Sequence, residues 1–271
     1  GVPVAGVIPY TYADIDDEDS LTERFDKSTE RKLIDIAVIR LPRISNFTDF
    51  SPFERYGNVS LRYVDSVGDL HQPDMIILPG TKSTIADLKW LRQCGLEAAI
   101  HKAADAGTLV FGVCGGYQML GRTVSDPEQV EAAGTTEILG MGLLEMDTIF
   151  LGEKVQAQTT GVFAGISGVL SDLNGMSYSG YEIHMGRSEE EMPALAGTGN
   201  VYGSYVHGVF DASGISDTIL KALCVRKGID FDALETFDIS EYKEHQYDLL
   251  ADAVRSGLDM ELVYRILNHE V

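Results

Sequence analysis

The sequence predicts an α/β fold, a mostly parallel and doubly wound sheet with a C-terminal helical extension. Apolar runs of strand length alternate with segments whose apolar residues fall at helical spacing, the pattern of strands covered by helices on both faces. The chain ends in a stretch of helical spacing without further strands, which sets the extension apart.

The elements follow in order. Residues 33–41 (LIDIAVIRL) form a near-continuous apolar run, 59–66 (VSLRYVDS) alternate, and 75–80 (MIILPG) end on Pro79 and Gly80. From Thr81 to Ala106, Ile85, Leu88, Leu91, Leu96, Ala99 and Ile100 keep helical spacing. Thr81 or Ser83 is the expected N-cap, Gly95 a break and Gly107 the stop. Residues 108–113 (TLVFGV) are the next strand, and GGYQMLG (115–121) opens a helix. In the second half, LLEMDTIF, KVQAQTTGVFAG, SGYEIHMG and NVYGSYVHGVF read as separate strands between Gly-rich turns, with some antiparallel pairing expected. Helix returns at 214–228, after a cap at Ser213, and over about 241–268.

This divides the chain into residues 1–30, a main domain over 31–228, and a helical tail over 229–271. GVPVAGVIPY at the start reads as a strand and turn with no partner before it, the expected end of a preceding domain in a longer polypeptide. Asp14 to Glu23 (DIDDEDSLTE) then reads as an acidic linker or solvated helix start.

Composition removes several classes of partner. The 271 residues carry a formal net charge of −21, which repels phosphate backbones and anionic lipid surfaces, so neither nucleic acid nor membrane is expected. No apolar run approaches the roughly 20 residues of a membrane-spanning helix. The N-terminus lacks the basic flank of a signal peptide, leaving the cytoplasm as the expected compartment. The three cysteines, Cys94, Cys114 and Cys224, show no metal-ligand spacing, so neither a metal site nor a disulfide framework is expected.

One cysteine stands apart. In LVFGVCGGYQML (109–120), Cys114 lies between a strand and a helix, with Gly112 before it and Gly115 and Gly116 after it. A strand that turns sharply into a helix exposes its turn residue at the sheet edge and leaves room only for glycine beside it, as in the nucleophile elbow of hydrolases. Helix N–H groups and the positive end of the helix dipole then face the sulfur and favour thiolate. Cys114 is therefore the expected nucleophile, while Cys94 and Cys224, in helical runs, are expected to be structural.

A thiolate in acyl transfer needs a base that can also protonate the leaving group. Of six histidines, His184 and His207 end strand-like runs, whereas His71, His101, His245 and His269 have no special context. His207, followed by Gly208 at a chain turn, is the expected base; His184, two residues from Glu182, is expected to form a structural pair with it. For the oxyanion of a tetrahedral intermediate, the amide of Gly115 is placed by the elbow, and Gly80, at the end of the preceding strand, is the second expected donor. Arg40, Arg43, Asn46 and Phe47 follow the first strand on the ligand edge, where they either meet a neighbouring domain, shape the substrate site or remain solvated.

GVCGGYQ, with YVHG downstream and LPG upstream, resembles class I (triad-type) glutamine amidotransferases, whose elbow reads G-x-C-x-G-x-Q and whose sheet is of flavodoxin-like type. IRLPRISNFTDF, LPGTKST, GYEIHMG and VHGVFD narrow the resemblance to the glutaminase half of the cobyric acid synthase family, over residues 34–211. The resemblance implies that Cys114 attacks the carboxamide of glutamine, that His207 protonates the departing ammonia, and that Gln118 contacts the substrate. It also implies a fused N-terminal synthetase domain, outside this chain, that binds ATP, Mg²⁺ and the corrinoid adenosylcobyrinic acid a,c-diamide. Residues 1–30 would then hold the end of that domain, and this chain itself would carry no cofactor. Relatives with the same half, cobyrinic acid a,c-diamide synthase and the glutaminase partner of a cell-wall ligase, are the alternatives, as is a cysteine hydrolase or binding module of the same fold.

Two departures stand out. The wider class places a glutamate two residues after the histidine, where this chain has Val209, so the orienting acid is missing from its usual place, leaving a Cys-His dyad or an acid from elsewhere, Asp211 or Glu182. No phosphate-binding G-x-x-x-x-G-K-[ST] occurs either; GTKST (80–84) shares only its ending.

Overall fold

Ile34–Ile39 form strand β1 with all six residues buried. The charged member, Asp35, accepts from Nε and Nη2 of the buried Arg62 at 2.7 and 2.8 Å. Without that partner a carboxylate this deep would be heavily destabilising. The computed structural model describes residues 4–11, 13, 31–131, 134, 136–188, 193–212, 214–234 and 239–269. The acidic segment Asp14 to Glu23 and the expected cap Ser213 lie outside them.

Next in the chain come β2 (Val59–Val64), β3 (Met75–Leu78), α1 (Thr84–Gln93), α2 (Leu96–Asp105), β4 (Leu109–Val113) and α3 (Gly115–Leu120). Gly95 separates α1 from α2 in the left-handed conformation, φ 80°, which ends one helix and starts the next without steric cost. The second half adds β5 (Asp147–Val162), β6 (Ser177–Ser188), β7 (Ala196–Thr198), β8 (Val201–Ser204), β9 (Val206–His207) and α4 (Ile215–Lys227).

The main sheet runs β7-β8-β4-β3-β1-β2, parallel throughout except for the β7–β8 pair at its edge. The chain goes outward from β1 to β2 and then returns to β3 on the other side of β1. Strand order therefore reverses between β1 and β3, and the loops leaving their carboxyl ends diverge to open a crevice there. Every residue of β1, β3 and β4 is buried, which explains why these strands read as continuous apolar runs.

A second sheet runs β9-β6-β5 and continues into the short strands Thr123–Ser125 and Glu137–Leu139. LLEMDTIF and KVQAQTTGVFAG, expected as separate strands, join in the single strand β5. Gly152 between them does not turn the chain; the mismatch is absorbed as a slip in pairing, from Met185 opposite Lys154 to Arg187 opposite Ile149.

The chain divides into two compact units, residues 19–235 and residues 1–18 with 236–271. In the smaller unit, α5 (Ile239–Gly257) and α6 (Met260–Leu267) replace the continuous helix expected over 241–268. The break is held by backbone pairing: Val7 donates to Gly257, and Asp259 donates to Ala5. Asp259 then caps α6 by accepting from the Leu262 amide at 3.0 Å. Among the described residues no helix is long and apolar enough to cross a membrane.

Candidate active site

Cys114 stands between β4 and α3 with φ 50° and ψ −109°, a conformation that non-glycine residues rarely adopt. The packing around it explains the glycines. A Cβ on Gly116 would lie 2.0 Å from the Leu78 carbonyl oxygen, one on Gly112 2.6 Å from the Tyr117 Cα, and one on Gly115 2.7 Å from the Thr81 Cγ2. Helix α3 thus lies against the ends of β3 and β4 at a separation that excludes side chains, and this closeness forces the elbow. The first helical bond runs from the Gln118 amide to the Cys114 carbonyl at 3.0 Å, so the Gly115 amide belongs to the opening turn, whose N–H groups have no partner within the helix.

His207 closes β9 with 1% of its surface exposed. Its Nδ1 lies 2.7 Å from Oδ2 of Asp49, while Oδ1 of the same carboxylate accepts from the Gly208 amide at 3.1 Å. Asp49 comes from a short 3-10 turn, Phe47–Phe50, that follows β1 at the switch point and is anchored by the buried Phe47 and Phe50. Burial by itself pulls the His207 pKa down, but the hydrogen bonds of Asp49 and Cys114, with their charges, outweigh it and push the group up to about 10.

The carboxylate on His207 is thus neither Asp211 nor Glu182. Glu182 lies 3.3 Å from Nε2 of His184, and Val209, in the place of the usual glutamate, is 2% exposed and part of the core. Sequence reasoning missed Asp49 because it lies in another loop, although the segment NFTDF around it carried part of the resemblance.

Gly80 is packed against the histidine: a Cβ there would come 3.3 Å from Cε1 of His207 and 3.2 Å from Oγ of Ser45. Tyr181 is stacked on the ring at 5.3 Å between centroids and 22° between planes. The Tyr181 hydroxyl accepts from Nδ2 of Asn46 at 2.7 Å. Of the other residues after β1, Phe47 is buried, Arg40 lies 3.9 Å from Asp65, and Arg43 donates to Asp87 at 2.9 Å.

Gln118 is buried and engaged at both ends of its amide. Its Oε1 accepts from Oγ1 of Thr84 at 3.0 Å and its Nε2 donates to the Met185 carbonyl at 3.0 Å. Glu131, which the sequence did not single out, accepts from the amides of Thr84 and Ile85 at 2.6 and 2.9 Å. Burial pushes its carboxyl up against the opposing pull of those bonds. These are the N-terminal amides of α1, the place where a phosphate would sit if GTKST acted as a phosphate loop. Among the described residues no group of three or more His, Cys, Asp or Glu side chains could hold a metal ion.

The remaining cysteines and histidines lie elsewhere. Cys224 is buried on α4, its thiol pushed up by burial and then by Asp74, while Cys94 caps the end of α1. His71, His101, His245 and His269 are exposed or half-buried.

A parallel sheet with this reversal of strand order, and a cysteine on a strained elbow beside an acid-supported histidine, places the chain with the glutamine amidotransferases. A solved glutamine amidotransferase superposes with a TM-score of 0.50 at 17% identity, covering 72% of this chain and 99% of its own, which shows the shared fold. The pattern of the CobB/CobQ-like glutamine amidotransferase domain matches residues 35–215, and the chain belongs to that family. Cobyric acid synthase of Lachnoclostridium phytofermentans is 52% identical over 295 residues, covering 100% of this chain and 57% of the relative. That of Ruminiclostridium cellulolyticum is 48% identical, covering 100% and 56%, and that of Photorhabdus laumondii 42% identical, covering 98% and 56%. The chain therefore spans just over half the length of these relatives.

Proposed function

We propose that this chain is the glutaminase part of a cobyric acid synthase. It releases ammonia from glutamine through a thioester on Cys114 and supplies it for ATP-dependent amidation of adenosylcobyrinic acid a,c-diamide. The observation that carries the glutaminase step is the Asp49–His207–Cys114 chain at the carboxyl edge of the sheet. The assignment to cobalamin biosynthesis rests on the names of the relatives.

The chemistry follows from the placement of protons. With His207 raised to about 10, the imidazole is protonated near neutral pH and faces the sulfur as an imidazolium. The Cys114 thiolate attacks the carboxamide carbon of glutamine, forming the C–S bond and moving the carbonyl electron pair onto oxygen. Amides of Gly115 and Gly80 stabilise that oxyanion. The intermediate collapses as His207 gives its proton to the nitrogen, and ammonia leaves. His207, now neutral, takes a proton from water, and the resulting hydroxide attacks the thioester. Cleavage of the C–S bond releases glutamate and restores the thiolate beside the imidazolium. Gln118 retains one N–H and one lone pair beyond its two protein bonds, and these are what it offers to the substrate.

GTKST offers ATP no phosphate site, since the α1 amides that a phosphate would use there are taken by Glu131. ATP and Mg²⁺ belong, in this reading, to a synthetase domain fused ahead of the chain, which would also hold the corrinoid. The division into residues 1–30, an amidotransferase domain over 31–228 and a tail over 229–271 remains part of the proposal.

The test is covalent labelling with 6-diazo-5-oxo-L-norleucine, a glutamine-like electrophile, followed by peptide mass spectrometry. An adduct on Cys114 that glutamine prevents, and that is lost in Cys114→Ser, is the expected result. A protein that takes no label under any condition would return Cys114 to the core.

A further inference from the structure

His184 lies outside the chain of residues that carries the chemistry, yet the bonds around it converge on that chain. Strand β9 pairs with β6 only at Tyr181 and Glu182. Beyond Glu182 the β6 carbonyls find donors from the elbow instead. The Ile183 carbonyl lies 3.7 Å from Sγ of Cys114, from which it accepts while the sulfur carries its proton, and the Met185 carbonyl accepts from Nε2 of Gln118 at 3.0 Å. Both the nucleophile and the glutamine beside it are therefore hung on one short piece of strand.

That piece is irregular. Pairing between β6 and β5 slips between Met185 and Arg187, and Gly186 adopts φ 94°, a conformation open to few residues other than glycine. A glycine at a slip point leaves the direction of the neighbouring carbonyls poorly determined by the backbone alone. His184 supplies the missing constraint. Its Nδ1 lies 2.9 Å from the Gly186 carbonyl and its Nε2 lies 3.3 Å from Oε2 of Glu182. Both oxygens are acceptors, and the ring meets one of them with each of its nitrogens. The ring is also stacked on Tyr205, at 4.1 Å and 23°, and Tyr205 stands two residues before His207.

We propose that His184 is a positioning residue: its imidazole spans residues 182 to 186 and holds the Ile183 and Met185 carbonyls in the orientation that seats Cys114 and Gln118. The inference deepens the glutaminase reading and rests on it. A histidine that merely filled the core would need neither bond, because its stacking on Tyr205 already buries it.

The test compares His184→Phe, which keeps the ring and its stacking but removes both nitrogens, with His184→Asn, which keeps a donor short enough for the Gly186 carbonyl. In the intact polypeptide that carries this chain, 6-diazo-5-oxo-L-norleucine labelling is measured against reagent concentration, beside labelling by iodoacetamide, which does not use the glutamine site. His184→Phe is expected to raise the half-saturating concentration and lower the maximal rate, each by about tenfold, with thermal stability and iodoacetamide labelling near those of the wild type. His184→Asn is expected to recover most of the loss. Wild-type parameters in His184→Phe, or an equal loss toward both reagents without recovery in Asn, overturn the inference while the labelled wild type keeps the glutaminase reading. A wild type that takes no label overturns both. Should the Phe variant not fold, Asn set against Ser, which is too short to reach Gly186, gives the same decision: equal labelling overturns the inference, and better labelling of Asn upholds it.

Discussion

Asp49 and His207 are separated by 158 positions in the chain and meet at 2.7 Å, both of them buried. The carboxylate bridges the ring Nδ1 and the next backbone amide, so it fixes the orientation of the imidazole and its proton together. A glutamate two residues after the histidine would serve from the same loop; here the loop after β1 serves instead.

Removing that carboxylate should disable catalysis while leaving the nucleophile in place. Asp49→Asn is expected to lower kcat for glutamine hydrolysis by about 10²- to 10⁴-fold, the range for losing a general base or the acid that orients it. Steady-state release of glutamate measures this, and retention of more than half the wild-type rate would remove Asp49 from the site.

The same pair makes stability depend on pH. His207 is raised from 6.5 to about 10, so the folded state holds its proton more tightly than the unfolded chain. Its contribution is fully present below pH 6.5 and is lost as pH rises toward 10. Denaturant unfolding of the wild type across that window should show stability falling more steeply with pH than in Asp49→Asn. Parallel profiles for the two proteins would count against a proton shared between Asp49 and His207.

Tyr181 is expected to act on the histidine by contact. Tyr181→Phe keeps the stacked ring and loses only the bond from Asn46, a change of about 0.5–1.5 kcal/mol. Tyr181→Ala uncovers one face of His207 and should lower kcat considerably further than Phe does. A pH profile of kcat/KM for the two variants separates the effects, because admitting water beside His207 moves its titration and losing the Asn46 bond does not.

The elbow should not tolerate a methyl group. Gly116→Ala would place a Cβ 2.0 Å from the Leu78 carbonyl oxygen and is expected to destabilise by about 1–3 kcal/mol or more. Gly68→Ala, whose Cβ would find nothing nearer than Oγ of Ser66 at 3.8 Å, is the neutral comparison. Chemical denaturation of the two variants measures the difference.

Behind the histidine, Phe210 packs on Phe111 at 4.9 Å and on Phe53 at 5.1 Å, joining the end of β9 to the core. Phe210→Ala should cost about 3–5 kcal/mol. It should also slow labelling of Cys114 by the glutamine analogue, since the loop carrying His207 loses its anchor. Unfolding curves and labelling rates on one preparation test both parts.

The parts legible from sequence share one property, that their cause is local. Gly112, Gly115 and Gly116 are needed because backbone approaches backbone within a few residues of Cys114, and β1, β3 and β4 are apolar but for Asp35 because both their faces are covered. Gly95 could be read as a break for the same reason. The tail breaks where Gly257 and the cap Asp259 mark a helix boundary, but the pairing between residues 5–7 and 257–259 that holds the break is a long-range contact. Asp49 escaped notice for a similar reason: in NFTDF it resembles any loop aspartate.

By itself, then, the amino-acid sequence determined the strand-to-helix elbow, the cysteine on it, the parallel sheet beneath it and the family. Tertiary structure alone decided which acid serves His207, that Tyr181 covers its ring, and that His184 spans the strand on which Cys114 and Gln118 are hung. The difference is physical. Backbone crowding and apolar periodicity act between neighbours and leave their mark in the residues concerned, whereas the partners of a buried imidazole are chosen by strand order, which brings together loops that the chain keeps far apart.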